Sequence, residues 1–200
     1  MTLQNFEKAR TNMVLSQLQP SGIVSERVMD TYQFVPREVF VPAPLRGVSY
    51  LDDDIALGGG RTLMEPLLQA LMVQDAGLSE GDKVLDIGAG NGYSSAVLAC
   101  LTGNVVALDQ EEKLLQTARS HWKALGLDGK ISPVIGDHAR GDVENSPYKA
   151  IFINGAVAEI PVGLLSQLTE DGALYAVLLL DDTAMGKVVS VRMDKNGNIT

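Results

Sequence analysis

One cysteine stands in 200 residues, so no intrachain disulfide can form and metal-ligand spacing is absent. Cys100 lies in the apolar run Ala96-Val97-Leu98-Ala99-Cys100-Leu101, the setting of a buried structural thiol rather than a reactive one. Positive charge is also scarce, with 16 Lys and Arg against 25 Asp and Glu and a net charge of −9. Such a balance argues against nucleic acid as a partner, because nothing would release counterions from phosphates. An anionic membrane surface is disfavoured for the same reason. No apolar stretch approaches the ~20 residues needed to span a bilayer. Met1 to Glu7 lacks the basic and apolar regions of a signal peptide. The absences leave a cytoplasmic globular protein as the expectation.

What is present is ordinary for such a protein: 46% hydrophobic and 20% charged residues, enough for one sizeable core and short of two independent domains. Residues 1–80 read as a helical extension carrying a substrate loop, and residues 81–200 as the core of the same domain. In the extension, Phe6, Met13, Val14 and Leu18 fit one helical face from Asn5 to Leu18, ended by Pro20-Ser21-Gly22. Ser25 is placed to cap a second short helix. Gly58-Gly59-Gly60 precedes an amphipathic helix predicted from Thr62 to Ala76.

From Gly81 the texture alternates. Strands are predicted at Lys83–Ile87, Asn104–Asp109, Ile131–Ile135, Ala150–Asn154, Ala173–Leu180 and Lys187–Met193, with helices at Tyr93–Leu101 and Glu111–Leu125. Alternation of this kind predicts an α/β fold, a Rossmann-like doubly wound and mostly parallel sheet with helices on both faces. Asn196-Gly197 is a hairpin-turn signal three residues before the last, which reads as a lost return strand or a sequence cut short.

The chemistry-bearing segment is Asp86-Ile87-Gly88-Ala89-Gly90-Asn91-Gly92-Tyr93, a glycine loop between strand and helix. Glycine lets the backbone turn tightly and approach a ligand closely. A dinucleotide fingerprint puts its third glycine at the sixth position; here that position is Tyr93 and the glycines fall at one, three and five. Asp109 ends the second core strand, where a carboxylate can accept both ribose hydroxyls. Asp137 ends the third.

This glycine pattern resembles the first motif of class I S-adenosylmethionine-dependent methyltransferases. The resemblance implies S-adenosylmethionine as cofactor and S-adenosylhomocysteine as product. It places Asp86 near the cationic amino-acid end, often through water, with Gly88, Ala89, Gly90, Asn91, Gly92 and Tyr93 around the ligand. Asp109 falls at the ribose and Asp137 at the adenine, with their neighbours Gln110 and His138 also among the cofactor-binding residues. Asn154, at the end of the fourth core strand, completes the implied cofactor-binding set.

More narrowly, the chain resembles the protein-L-isoaspartate O-methyltransferase family over nearly its whole length. The segments that carry this are Met13-Val14, Gln17-Leu18, Gly22-Ile23, Arg27-Val28, Val35 to Pro42, Tyr50 with Asp52, and Gly58 to Pro66. Ala150 to Ala156, Glu159-Ile160-Pro161 and Leu168 to Leu174 continue it in order. The resemblance implies an O-methyltransferase that repairs isoaspartyl residues, with isoaspartyl-containing proteins as substrate. The family's loop reads Gly-X-Gly-Gln-Thr-Ile-Ser-X-Pro, and here it reads Gly58-Gly59-Gly60-Arg61-Thr62-Leu63-Met64-Glu65-Pro66. Met64 stands for the serine that helps arrange the reacting carboxylate, Arg61 for a glutamine, His138 for a glycine and Asn154 for a threonine. Arg61 and Thr62 are the residues expected to position the carboxylate. Two other readings share the fold: transfer to another acceptor, or a silent cofactor-binding homologue.

Several residues also have plain structural readings. Met64 falls at helical spacing with Leu67, Leu68 and Leu71, as core filling would. Glu65 suits a helix N-terminus, Asp52 to Asp54 a solvated loop, and His121-Trp122 a surface and core pair of a long helix.

Overall fold

The computed structural model describes residues 3–179 and 186–192. They fall into two compact units, Met1–Gly77 and Leu78–Thr200.

In the first unit, helix α1 (Leu3–Met13) continues into a π-helical turn, Val14–Leu18. The predicted helix thus reaches its expected end, but its last turn is wider than α. That turn buries Val14 and Leu18 beside Met13. Helix α2 (Glu26–Phe34) starts where expected, the Ser25 side chain accepting the Val28 N–H at 3.4 Å. Two 3-10 turns, Arg37–Phe40 and Ala43–Val48, follow.

Next comes a hairpin that periodicity did not predict. Strands β1 (Ile55–Gly58) and β2 (Arg61–Leu63) pair antiparallel, Ile55 with Leu63 and Ala56 with Thr62. Gly58, Gly59 and Gly60 all have positive φ, at 89°, 60° and 76°. Three consecutive left-handed residues reverse the chain at little cost only because none carries a Cβ. The helix predicted from Thr62 is corrected accordingly: α3 spans Pro66–Ala76. Proline at the first helical position loses nothing, because its missing N–H would have had no intrahelical partner.

The second unit holds a six-stranded sheet. Its strands are β3 (Val84–Ile87), β4 (Val105–Asp109), β5 (Ile131–Ile135), β6 (Tyr148–Val157), β7 (Leu168–Leu179) and β8 (Gly186–Val191). The order is β5-β4-β3-β6-β7-β8, parallel throughout except for β8, which pairs antiparallel with β7. Helices α4 (Tyr93–Thr102), α5 (Glu112–Ala124) and α6 (Val162–Leu165) belong to the crossovers. The sheet is the mostly parallel, Rossmann-like α/β architecture expected.

Alternation along the strands sorts the two faces. Leu85 and Ile87, Val106 and Leu108, Ile151 and Ile153, and Leu174 form one buried apolar cluster with Leu164 and Leu165 of α6. Asp86 has the opposite phase in β3 and faces α4. Strand β7 starts five residues earlier than its predicted start at Ala173, because the turn-like Thr169 to Gly172 is a register shift inside the strand. Leu168 pairs with Tyr148, and the pairing resumes at Ala173 with Ala150. Met193 and Asn196-Gly197 lie outside the described residues. Among the described residues, no helix is long and apolar enough to cross a membrane.

Candidate active site

Parallel register brings the C-terminal ends of β3, β4 and β5 side by side. Ile87 pairs with Leu108, and Asp109 with Ile135. The strand order reverses between β3 and β6, the switch point where open α/β sheets bind ligands. The glycine loop leaves β3 at this edge. Gly88 and Ala89 both donate their N–H to the Leu108 carbonyl, at 2.9 and 3.1 Å. Gly88, Gly90 and Gly92 have φ of 72°, 57° and 93°.

Helix α5 grips the loop from its other end. His121 Nδ1 lies 3.0 Å from the Asn91 carbonyl, and Trp122 Nε1 donates to the Gly92 carbonyl at 2.8 Å. Trp122 is the core member of the predicted pair, but His121 is a tie to the loop rather than plain surface. A Cβ on Gly92 would lie 2.5 Å from Trp122 Nε1. Tyr93, buried, opens α4 directly behind.

Asp86 is entirely buried. Its Oδ2 accepts the hydroxyls of Ser94 at 2.7 Å and Ser95 at 2.5 Å, and its Oδ1 accepts Asn154 Nδ2 at 2.6 Å. Asn154 also donates to the Ile87 carbonyl at 3.2 Å, joining β3 to β6 across the switch point. Burial pushes the Asp86 carboxyl above its usual range, the three donors pull it back, and the nearby Asp109 charge adds to the rise. Asp86 therefore works from inside, holding the loop, α4 and β6 together, with its oxygens already occupied.

Asp109 is buried as well. Its Oδ2 accepts the Gly90 N–H at 2.9 Å and its Oδ1 the Glu111 N–H at 3.0 Å. Gln110, next along the chain, is exposed. Past β5, Asp137 Oδ1 accepts the N–H of Ala139 at 2.7 Å and of Arg140 at 3.3 Å, so this exposed carboxylate fixes its own turn. His138 Nε2 points back to Asp109, 3.8 Å from Oδ1.

In a dinucleotide loop the glycine N–H groups face a pyrophosphate; here the Gly90 N–H is already used by Asp109. The buried Asp109 carboxylate beside the loop repels an anion and suits a cation. S-adenosylmethionine, a sulfonium with an ammonium group, matches that field, so the residues present fit it.

The other candidate residues belong to the first unit. Arg61 is half-buried on β2, Thr62 exposed, and Met64 half-buried between strand and helix. Because Met64 precedes α3, it does not continue a helical stripe with Leu67, Leu68 and Leu71, and that spacing is no ground for reading it as core filling. The buried positions of α3 are Pro66, Gln69, Ala70, Met72 and Val73. Glu65 sits at the N-cap, with its own N–H donated to Asp54 Oδ1 at 2.8 Å. Its carboxyl is pushed up first by burial and then by Asp52, Asp54 and Asp53.

Sequence reasoning missed Arg37. Fully buried, it donates from Nε to the Ser49 carbonyl at 2.8 Å and from Nη2 to the Met64 carbonyl at 2.6 Å. Next to it, Glu38 accepts the Tyr50 hydroxyl. The Val35-to-Pro42 run carried this charged pair in plain view, but nothing local said that it was buried.

The family model for protein-L-isoaspartate(D-aspartate) O-methyltransferase matches residues 9–199. A protein-L-isoaspartate O-methyltransferase of Methylorubrum extorquens is 41% identical over 84% of this chain and 72% of its own length. One of Methanoculleus marisnigri is 36% identical over 84% and 76%. Among solved structures, a protein-L-isoaspartate O-methyltransferase superposes with a TM-score of 0.81 at 28% identity over 96% of this chain, which spans 63% of that chain. A Plasmodium falciparum structure of a beta-aspartate methyltransferase with S-adenosyl-L-homocysteine shares the fold, with a TM-score of 0.79 at 20% identity over 98% of this chain and 92% of that one. From the glycine loop to the sheet order and the match along almost the entire sequence, the conclusion is that this chain belongs to the protein-L-isoaspartate(D-aspartate) O-methyltransferase family.

Proposed function

We propose that this protein transfers the methyl group of S-adenosylmethionine to the carboxylate of isoaspartyl residues in damaged proteins, leaving S-adenosylhomocysteine. The observation that carries the proposal is the family match over residues 9–199, which includes both the glycine loop and the Gly58-to-Pro66 hairpin. Family relatives are named for this reaction. The reading includes the cytoplasm as its place of action, with neither nucleic acid nor membrane as a partner.

In this proposal Gly88 to Gly92, with Ala89 and Asn91, form the cradle of the cofactor. Tyr93, Gln110, Asp137 and Asn154 stand around it, Asp109 is the acceptor for its ribose, and His138 lies beside that carboxylate. The bound cofactor supplies a methyl group on a sulfonium, already joined to an excellent leaving group. Asp86 keeps the cradle in shape through Ser94, Ser95 and Asn154. The nucleophile is the substrate carboxylate. With an unperturbed pKa near ~4 it is ionised at neutral pH, so no general base is needed. Transfer of that methyl group to a carboxylate oxygen would give a methyl ester and release the sulfur as the thioether of S-adenosylhomocysteine.

The protein's task is then alignment and exclusion of water, which can contribute ~7–11 kcal/mol. Arg61 pairs with the substrate carboxylate and Thr62 orients it. Arg37 keeps the end of the hairpin in place by gripping the Met64 carbonyl. Met64 brings no hydroxyl, a loss of one hydrogen bond worth ~0.5–1.5 kcal/mol, which slows alignment without abolishing it.

The direct test offers labelled S-adenosylmethionine with an isoaspartyl peptide and its normal aspartyl counterpart. Label is expected on the isoaspartyl peptide alone. Its absence, in folded protein that binds S-adenosylhomocysteine, would remove the assignment. For Arg61→Ala the expected result is a KM about tenfold higher with kcat little changed, as follows from losing one charge-assisted contact to the substrate. Steady-state kinetics with unchanged KM would remove that role from Arg61.

A further inference from the structure

Asp109 is held still. Its Oδ2 accepts the Gly90 N–H and its Oδ1 the Glu111 N–H, backbone groups of the glycine loop and of the entry to α5. The carboxylate cannot turn without undoing those segments. It is also shut off from solvent, with 0% side-chain exposure. A ligand that uses Asp109 must therefore displace something beside it.

The movable group beside it is His138. Its Nε2 lies 3.8 Å from Asp109 Oδ1, too far for a hydrogen bond. That nitrogen is buried and has no hydrogen-bond partner among the described residues, whereas the side chain as a whole keeps 28% exposure. The ring thus leans on the carboxylate without satisfying its own nitrogen. Rotation about its side-chain bonds would return Nε2 to water and uncover Oδ1. The turn that carries His138 is fixed separately, by Asp137 accepting the N–H groups of Ala139 and Arg140, so the ring can turn without undoing it.

We propose that His138 is a cover over Asp109 that competes with the cofactor's ribose for this carboxylate, and so sets cofactor affinity. The inference rests on the proposed S-adenosylmethionine-dependent function. Only the fraction of molecules with the ring turned away is ready to bind, and the apparent Kd rises by the inverse of that fraction. A diol is the ligand chemistry concerned, since two hydroxyls can donate to one carboxylate.

Calorimetric titration of S-adenosylhomocysteine into the full chain and into His138→Ala tests it, with the ligand-free thermal midpoint recorded for both. Binding about 3- to 10-fold tighter in His138→Ala, at an unchanged midpoint, is the expected result. The gain should vanish for S-adenosylhomocysteine lacking both ribose hydroxyls, which has no use for Asp109. Unchanged binding would overturn the proposal, and so would an equal gain for both ligands. Weaker binding in His138→Ala would overturn it too, by showing that the imidazole holds the ligand instead of excluding it. Failure of both proteins to bind S-adenosylhomocysteine would instead remove the functional reading, and this inference with it.

Discussion

Gly92→Ala is expected to destabilise the protein by about 2–5 kcal/mol. Two costs add. At φ 93° an alanine pays roughly 1–2 kcal/mol for a left-handed backbone. Its Cβ would also stand 2.5 Å from Trp122 Nε1, 2.7 Å from Trp122 Cε2 and 2.8 Å from Ala118 Cβ. Both neighbours are buried on α5, so neither yields freely, and overpacking of this kind costs roughly 1–3 kcal/mol. The Trp122 hydrogen bond to the Gly92 carbonyl is strained in the same event. Gly90→Ala is the control. Its φ is 57°, but the nearest atom to an added Cβ is the Gly88 carbonyl oxygen at 3.8 Å, so only the backbone cost remains. Urea unfolding read by the fluorescence of Trp122, the chain's one tryptophan, separates the two. Equal losses for both variants would show that the close approach of Trp122 is unimportant.

Asp86→Ala is expected to cost about 2–4 kcal/mol, because Ser94, Ser95 and Asn154 lose their common acceptor. Relief from burying an ionised carboxylate offsets part of this, and the offset depends on pH. Burial raises the Asp86 carboxyl in the folded protein, so the folded state favours the protonated acid. Its contribution to stability is then fully present below the ordinary aspartate value and declines as pH rises through the raised one. Asp86→Asn, which never ionises, should flatten that part of the stability curve. Unfolding free energies measured from pH 3.5 to 7 check the sign. A wild-type curve that rises over this span, with the rise abolished in Asp86→Asn, would mean that hydrogen bonding to the serines outweighs desolvation.

Much of the core could be read from local patterns. Val84–Ile87, Val105–Asp109 and Ile131–Ile135 were predicted within a residue or two, since each is a short apolar run before a turn or glycine. The glycine spacing, with Asp109 at a strand end and Asp137 just past one, carried the resemblance that implied the cofactor without any tertiary information. What could not be read depends on residues far apart in sequence. His121 and Asn91 are separated by 30 positions, and Asn154 and Asp86 by 68. No periodicity marks such pairs. The hairpin before α3 failed for a different reason. Thr62, Leu63 and Met64 extend the helical spacing of the residues after them, and β2, at three residues, is too short to display alternation. Pro66 was the overlooked signal, because proline belongs at a helix's first position.

The bond between Arg37 and Met64 has a consequence for how such a protein can diverge. Arg37 holds position 64 by its carbonyl, an atom that every amino acid supplies. The path of the chain at this point is thereby insulated from the identity of the side chain. A serine, a methionine or another residue can occupy position 64 while the backbone stays anchored to the same guanidinium. Substitution there changes the side chain that the hairpin presents while its anchor to Arg37 is inherited unchanged.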